Sequence, residues 1–138
     1  MLLAVSRPIL AGCVALLALS GCSLGADKET QPVRGAPRQV VATVTRLESA
    51  IRSRDWRAVC DRLFTRGARR RAGGSDCSRR LASYAQGLRR PRIRLLSIRL
   101  AGDRASVRVR SRAVGQPPLT DRIELRRVGR GYRIEALD

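Results

Sequence analysis

Four cysteines have the most distinctive chemistry in this chain, which contains no histidine. A thiol can carry a lipid, pair with another thiol or bind a metal ion, and its context along the chain indicates which. Structural zinc sites combine closely spaced pairs of cysteine and histidine ligands. Without a histidine, and with no second pair beside Cys60 and Cys77, the chain lacks such a set. We therefore expect no metal site and no cofactor.

Cys13 and Cys22 belong to an N-terminal segment that has the layout of a secretory signal. One positive charge at Arg7 is followed by an apolar run from Ile9 to Leu19 and then by small residues. The apolar run is about half of the roughly 20 residues that cross a bilayer as a helix. The segment therefore predicts export and cleavage, and it disfavours a permanent transmembrane anchor.

The sequence Leu19-Ser20-Gly21-Cys22 resembles the lipobox of bacterial lipoproteins, in which a leucine and two small residues precede a diacylated cysteine. The resemblance implies a signal peptide at 1–21, a lipid on Cys22 and attachment to the extracytoplasmic face of the cell membrane. Long acyl chains on one residue hold a small domain at a bilayer essentially permanently. The alternative is an ordinary signal peptide that is cut nearby and leaves Cys22 as a free thiol.

Export also indicates the role of the other two cysteines, because oxidising compartments allow disulfides to persist. Cys13 is discarded with the signal and Cys22 carries the lipid, so Cys60 and Cys77 are expected to pair. Closing a loop of this length is worth about 3 kcal/mol in the chain-entropy model. That is a substantial fraction of the stability of a small domain.

Positive charge dominates the rest of the chain. Loss of Arg7 leaves 28 basic residues against 11 acidic ones, a net charge of +17, and every base except Lys28 is arginine. A GC-rich genome explains the preference for arginine over lysine, but not the excess of positive charge. One set of arginines alternates with apolar residues on predicted strands: Arg92, Arg94, Arg108, Arg110, Arg122 and Arg126.

An arginine face of this density attracts polyanions. Nucleic acid is not expected as the partner, because the chain is predicted to be exported and to expose no aromatic residues for base stacking. A membrane offers anionic phospholipid or a cell-wall polymer instead, and each arginine near a negative leaflet gains on the order of 1 kcal/mol. The alternative is a merely solvated face in an arginine-rich protein.

Three helices and about four strands are predicted behind a tether. Residues 22–38 contain prolines and glycines without apolar periodicity, which predicts a flexible tether before a domain at 39–138. Apolar residues at helical spacing predict helices over about 40–51 and 56–64, the second capped by Asp55, and a third that starts near Asp76 and is capped by it. Beyond Pro91 the apolar residues alternate, and a phase shift at Leu95-Leu96 predicts a bulged first strand.

This order predicts an α+β fold in which three N-terminal helices pack on one face of an antiparallel sheet. It resembles the cystatin-like cone of the nuclear transport factor two-like superfamily, and more narrowly the small actinobacterial lipoproteins of that fold. The matching positions are Ala50-Ile51, Ser53-Arg54-Asp55-Trp56, Cys60, Cys77 and Gly102 to Val107. The resemblance implies a curved sheet that wraps a helix around a conical cavity. It does not determine the function, because the same cone occurs in enzymes, binding modules and assembly domains.

No catalytic residue is assigned. An isomerase or dehydratase in such a cone needs a general base and a proton donor such as tyrosine. Most acids fit caps, turns or an outward strand position, and Tyr84 and Tyr132 are predicted to be core residues. Asp61 is the acid to examine first if the cone is catalytic. We expect a non-catalytic lipoprotein whose cone binds a small apolar ligand or a partner protein. The alternatives are an isomerase-like or dehydratase-like enzyme, and an envelope assembly subunit, which an exposed apolar sheet face and a dimer in solution would reveal.

Overall fold

A computed structural model describes residues 35–138, which form helices followed by a four-stranded antiparallel sheet. The helices are α1 Ala36–Ser53, α2 Trp56–Ala58, α3 Arg66–Arg71 and α4 Cys77–Tyr84. The strands are β1 Arg92–Ala101, β2 Arg104–Arg112, β3 Leu119–Val128 and β4 Gly131–Leu137. A π-helical turn, Val59–Leu63, continues α2, and a 3-10 turn, Gly74–Asp76, precedes α4. The α+β class and the number of strands agree with the sequence prediction.

The first helix begins at Ala36, inside the segment that the sequence predicted to be a tether. Pro37 lies in its first turn, where the missing N–H costs nothing because the first N–H groups of a helix have no intrahelical partner. Helix α1 therefore begins three residues before the predicted start of the domain at 39. The predicted apolar stripe is confirmed, and its buried members are Val40, Val44, Leu47 and Ala50.

The turn between α1 and α2 follows the sequence prediction. Arg54 adopts a left-handed conformation with φ of 58° and ends α1. The side chain of Asp55 then accepts a hydrogen bond of 2.9 Å from the backbone N–H of Ala58, which caps α2. The short connection brings α2 and its π-helical turn back against α1.

The predicted number of three helices is wrong, because the arginine-rich segment after Phe64 forms the additional helix α3. The Thr65 hydroxyl accepts a hydrogen bond of 3.1 Å from the Ala68 backbone N–H, and Ala68 is buried. Phe64 itself leaves the predicted second helix and forms a parallel bridge with Ile134 of β4. One cap and one buried small residue thus order a segment that showed no apolar periodicity.

Two predictions for α4 are also wrong. Asp76 makes no capping hydrogen bond with its side chain and instead forms an ion pair of 2.7 Å with Arg79. Tyr84 is 82% exposed and is not a core residue, because α4 ends there and buries only Cys77. Tyr132 is buried as predicted.

The sheet is a meander in the order β1-β2-β3-β4. Register shifts between Leu95 and Ser97 and between Glu124 and Leu125 interrupt the pairing, and bulges of this kind bend strands and increase their twist. The bulge predicted at Leu95-Leu96 is therefore confirmed. The inner face packs against the helices and supplies the buried strand residues Ala105, Val107, Val109, Ile123, Leu125, Tyr132 and Ile134.

The first helix lies against β1 and β4, at the two edges of the sheet. Its one buried polar residue, Thr43, places its hydroxyl 3.1 Å from the carbonyl oxygens of both Gln39 and Tyr132, so this buried hydroxyl has a hydrogen-bond partner. None of the helices in residues 35–138 is both long and apolar enough to span a bilayer.

Candidate functional site

The face of the sheet that points away from the helices, here called the outer face, is covered by arginines. Side chains alternate between the two faces of a strand, so the neighbours of the buried strand residues point outward. Eight of these outward arginines are exposed and the other two, Arg126 and Arg133, are half-buried. The full set is Arg92, Arg94, Arg99, Arg104, Arg108, Arg110, Arg112, Arg122, Arg126 and Arg133.

The strand register places many of these arginines directly opposite one another. The opposed pairs are Arg92 with Arg112, Arg94 with Arg110, Arg108 with Arg122, Arg104 with Arg126, and Arg126 with Arg133. Like charges at directly opposite positions of a sheet are destabilising. The sheet is therefore less stable than one with alternating charges on its outer face. The packing of the core does not explain these arginines, because they point away from it.

Few carboxylates neutralise the outer face. Within residues 35–138, its only ion pairs are between Arg92 and Glu48, at 3.6 Å, and between Arg126 and Glu135, at 2.7 Å. Glu124 also lies on this face, as predicted, but its carboxylate accepts a hydrogen bond of 2.7 Å from the Ser106 hydroxyl. A net positive field therefore extends from this surface.

All six arginines predicted to bind an anionic surface lie on the outer face, namely Arg92, Arg94, Arg108, Arg110, Arg122 and Arg126. Sequence reasoning missed four others there: Arg99, Arg104, Arg112 and Arg133. The alternation of β2 already pointed to Arg104 and Arg112. The bulge predicted at Leu95-Leu96 likewise pointed to Arg99, and the apolar neighbours Tyr132 and Ile134 pointed to Arg133.

Replacing Arg108 by threonine should raise the free energy of unfolding by a few tenths of a kcal/mol to about 1 kcal/mol, because it removes the repulsion from Arg122 opposite. Urea denaturation at low ionic strength measures the change. Arg99→Thr is the matched control, since Arg99 lies opposite Ser106 on the same face. Equal stabilisation by both variants would show that β-propensity, not charge repulsion, is responsible. High salt should reduce the difference.

The opposite, inner face forms an open cleft of about 250 Å³ between α1 and the ends of the strands. Its walls are mainly aliphatic: Leu47, Ile51, Ile93, Val109, Ile123 and Leu137. The polar groups in this wall are Ser111, Asp121 and Asp138. The Ser111 hydroxyl donates a hydrogen bond of 2.8 Å to the Asp121 carboxylate. This is the position of the cavity that the sequence resemblance implied.

The acids that line the cleft are Asp121 and Asp138, whereas Asp61 was the residue singled out from the sequence. Asp61 lies on the exposed side of the π-helical turn, where it forms an ion pair of 3.2 Å with Arg69. Neither tyrosine of residues 35–138 lines the cleft: Tyr84 is on the surface, and the hydroxyl of Tyr132 accepts a hydrogen bond from Arg127. The phase of β3 was the available signal, because Asp121 shares its face with Ile123 and Leu125.

Two predicted sites remain: the disulfide lies within the described residues, and the lipidation site does not. Cys60 and Cys77 form a disulfide with a Cα–Cα distance of 6.1 Å, and both residues are buried. Cys22 and the lipobox residues Leu19, Ser20 and Gly21 lie outside the described residues. Within 35–138 no three potential metal ligands come together.

No protein-family model matches the chain, and no curated protein does. Solved structures do match it. One is a variant of a designed protein named after the nuclear transport factor two fold. It has a TM-score of 0.56 at 17% identity, over 73% of this chain and 93% of that chain. The described residues have a nuclear transport factor two-like fold.

Two further structures are similar to this fold. A SEC-C motif containing protein from Rhodopseudomonas palustris has a TM-score of 0.52 at 18% identity, over 70% of this chain and 75% of that chain. A de novo designed protein with a curved β-sheet has a TM-score of 0.50 at 16% identity, over 71% of this chain and 95% of that chain. At these identities the likeness is one of fold and carries no function.

Proposed function

We propose that this protein is a non-catalytic binding or scaffolding lipoprotein, anchored through Cys22 on the extracytoplasmic face of a membrane, whose outer face docks on the anionic envelope surface. The observation that carries the proposal is the set of directly opposed arginines on the outer face. Such pairs lower the stability of the sheet. An anionic surface relieves their repulsion and gains about 1 kcal/mol for each arginine near it.

The length of chain between the lipid site and the domain allows the outer face to reach the leaflet. Thirteen peptide steps separate Cys22 from Gly35, and fully extended they span at most about 43 to 47 Å. A domain of this size has a radius of gyration of about 13 Å. The available length exceeds the width of the domain, so either side of it can turn toward the membrane.

Phospholipid headgroups fit the outer face better than nucleic acid does. Single-stranded nucleic acid is bound by basic grooves that also present aromatic side chains for stacking. The exposed aromatic residue of the described chain, Tyr84, lies on α4 and not on the sheet. A broad basic face without aromatic side chains matches the regular negative charge of a leaflet.

The test is vesicle binding by residues 23–138, which lack the lipid and contain the whole buried core. We expect this segment to co-sediment with phosphatidylglycerol-containing vesicles at low salt and to remain in the supernatant when the vesicles contain only neutral phosphatidylcholine. It should dissociate from the anionic vesicles at about 1 M salt, where the Debye length falls to about 3 Å. Indifference to anionic lipid at low salt would remove the proposal.

The structure bears differently on the two alternatives. An envelope assembly subunit was expected to show an exposed apolar sheet face, and the outer face of the described sheet is basic instead. An isomerase-like or dehydratase-like enzyme requires an acid and a proton donor in the cone. Asp121 supplies the acid, but no tyrosine of residues 35–138 lies beside it. We therefore propose binding rather than catalysis or envelope assembly.

A further inference from the structure

Asp121 is an acidic residue in a mainly aliphatic wall of the cleft, where the other polar residues are Ser111 and Asp138. It lies opposite Val109 in the sheet and shares its face of β3 with Ile123 and Leu125, both buried. Residues 35–138 carry 26 arginines against nine acidic residues, yet no ion pair in this part of the chain includes Asp121. Its only hydrogen bond from a described side chain comes from Ser111.

The chemistry of this pair restricts what it can bind. An ionised carboxylate accepts hydrogen bonds at about four lone-pair positions and donates none. The Ser111 hydroxyl uses its single hydrogen toward Asp121, at 2.8 Å, so the pair as a whole presents acceptors to the cleft. A ligand must therefore supply a donor here, because a carboxylate or carbonyl group would place one acceptor against another.

We propose that the cleft binds a compact apolar molecule whose polar end is a hydrogen-bond donor, an ammonium or a hydroxyl group, held by Asp121. The hydrocarbon part lies against Ile51, Ile93 and Val109, and the donor replaces water at the carboxylate. A volume of about 250 Å³ corresponds to roughly eight water molecules of liquid volume, which accommodates a single substituted ring. This site is separate from the outer face, so it stands independently of the proposed membrane docking.

The net charge of the domain makes the inference testable, because charge alone predicts the opposite preference. The described residues carry 26 positive and nine negative side chains, a net charge of +17. A field of that sign attracts anions and repels cations. Preference for an amine over an acid of the same shape therefore requires a local contact with an acidic group of the cleft, and the Asp121→Asn variant tests whether that group is Asp121 or Asp138.

The experiment titrates residues 23–138 with three probes that share one cyclohexane ring: cyclohexylmethylamine, cyclohexylmethanol and cyclohexanecarboxylate. Backbone amide shifts by NMR report both location and affinity. We expect the amine and the alcohol to shift the amides of Val109, Ser111 and Asp121, and the carboxylate to bind at least about tenfold more weakly than the amine. Asp121→Asn should reduce amine affinity about tenfold.

Asp103→Asn is the matched control, because it removes the same charge from the turn between β1 and β2, outside the cleft. It should leave amine affinity unchanged within about twofold. A circular dichroism melt of Asp121→Asn checks that loss of binding is not loss of fold. The proposal is overturned if the carboxylate binds as tightly as the amine, if none of the probes shifts the cleft amides, or if a folded Asp121→Asn binds the amine as the parent does.

Discussion

Replacing both Cys60 and Cys77 by alanine is expected to lower the free energy of unfolding of the domain by about 3 kcal/mol and its melting temperature by roughly 10 to 20 °C. The disulfide joins the π-helical turn to the start of α4 across a sequence separation of 17 residues. Cys77 is the only buried residue of α4. Without the bond, the unfolded chain regains the entropy of an open loop, and α4 loses its covalent attachment to the core.

Urea or thermal denaturation followed by far-ultraviolet circular dichroism measures the effect on residues 23–138. Reducing the parent protein with dithiothreitol should produce nearly the same loss, whereas the same treatment should leave the double variant unchanged. That comparison separates loss of the bond from loss of packing by two buried sulfur atoms. If the oxidised parent and the double variant unfold at the same denaturant concentration, the disulfide does not contribute to stability as described.

Replacing Arg94, Arg108, Arg110 and Arg122 by glutamine is expected to lower affinity for anionic vesicles by about a thousandfold. These residues form two opposed pairs at the centre of the outer face. At about 1 kcal/mol for each arginine near a negative leaflet, four of them supply about 4 kcal/mol, which is about three powers of ten in affinity. Co-sedimentation at low salt gives the affinity.

The matched control replaces Arg46, Arg52, Arg57 and Arg70 by glutamine. These residues are exposed on the helices, away from the sheet, and make no ion pair within residues 35–138. The net charge changes by the same amount, so a loss of less than about tenfold is expected if the outer face is the contact. Equal losses for the two variants would show that total charge, and not this face, governs binding.

The location of the arginines was more predictable from sequence than that of the cleft. Arg92, Arg94, Arg108 and Arg110 alternate with apolar residues, and alternation is a local property of a strand that needs no partner to be visible. The cleft depends on long-range packing instead. Asp121 interrupts an apolar alternation, so its place beside Ser111 emerges only from the register between β2 and β3.

The helices show the same division. The stripe of α1 and the Asp55 cap were predicted correctly, because helical spacing and capping depend on residues within a few positions of one another. The segment Arg66–Arg71 has no such stripe. This segment is helical because Thr65 caps its N-terminus and Ala68 is buried against the rest of the domain. Tyr84 was wrongly predicted to be a core residue, because an apolar stripe does not show where along a helix the contact with the core ends.

The sequence by itself determined the class of fold, the bulge in the first strand and the phase of most outward arginines, because these follow from short-range periodicity and steric preference. The tertiary structure alone decided which arginines oppose one another, that Asp121 and Ser111 meet in the cleft, and which aromatic residue stays exposed. Those outcomes depend on strand register and on the limited area of one small core, and neither is encoded within any single stretch of the chain.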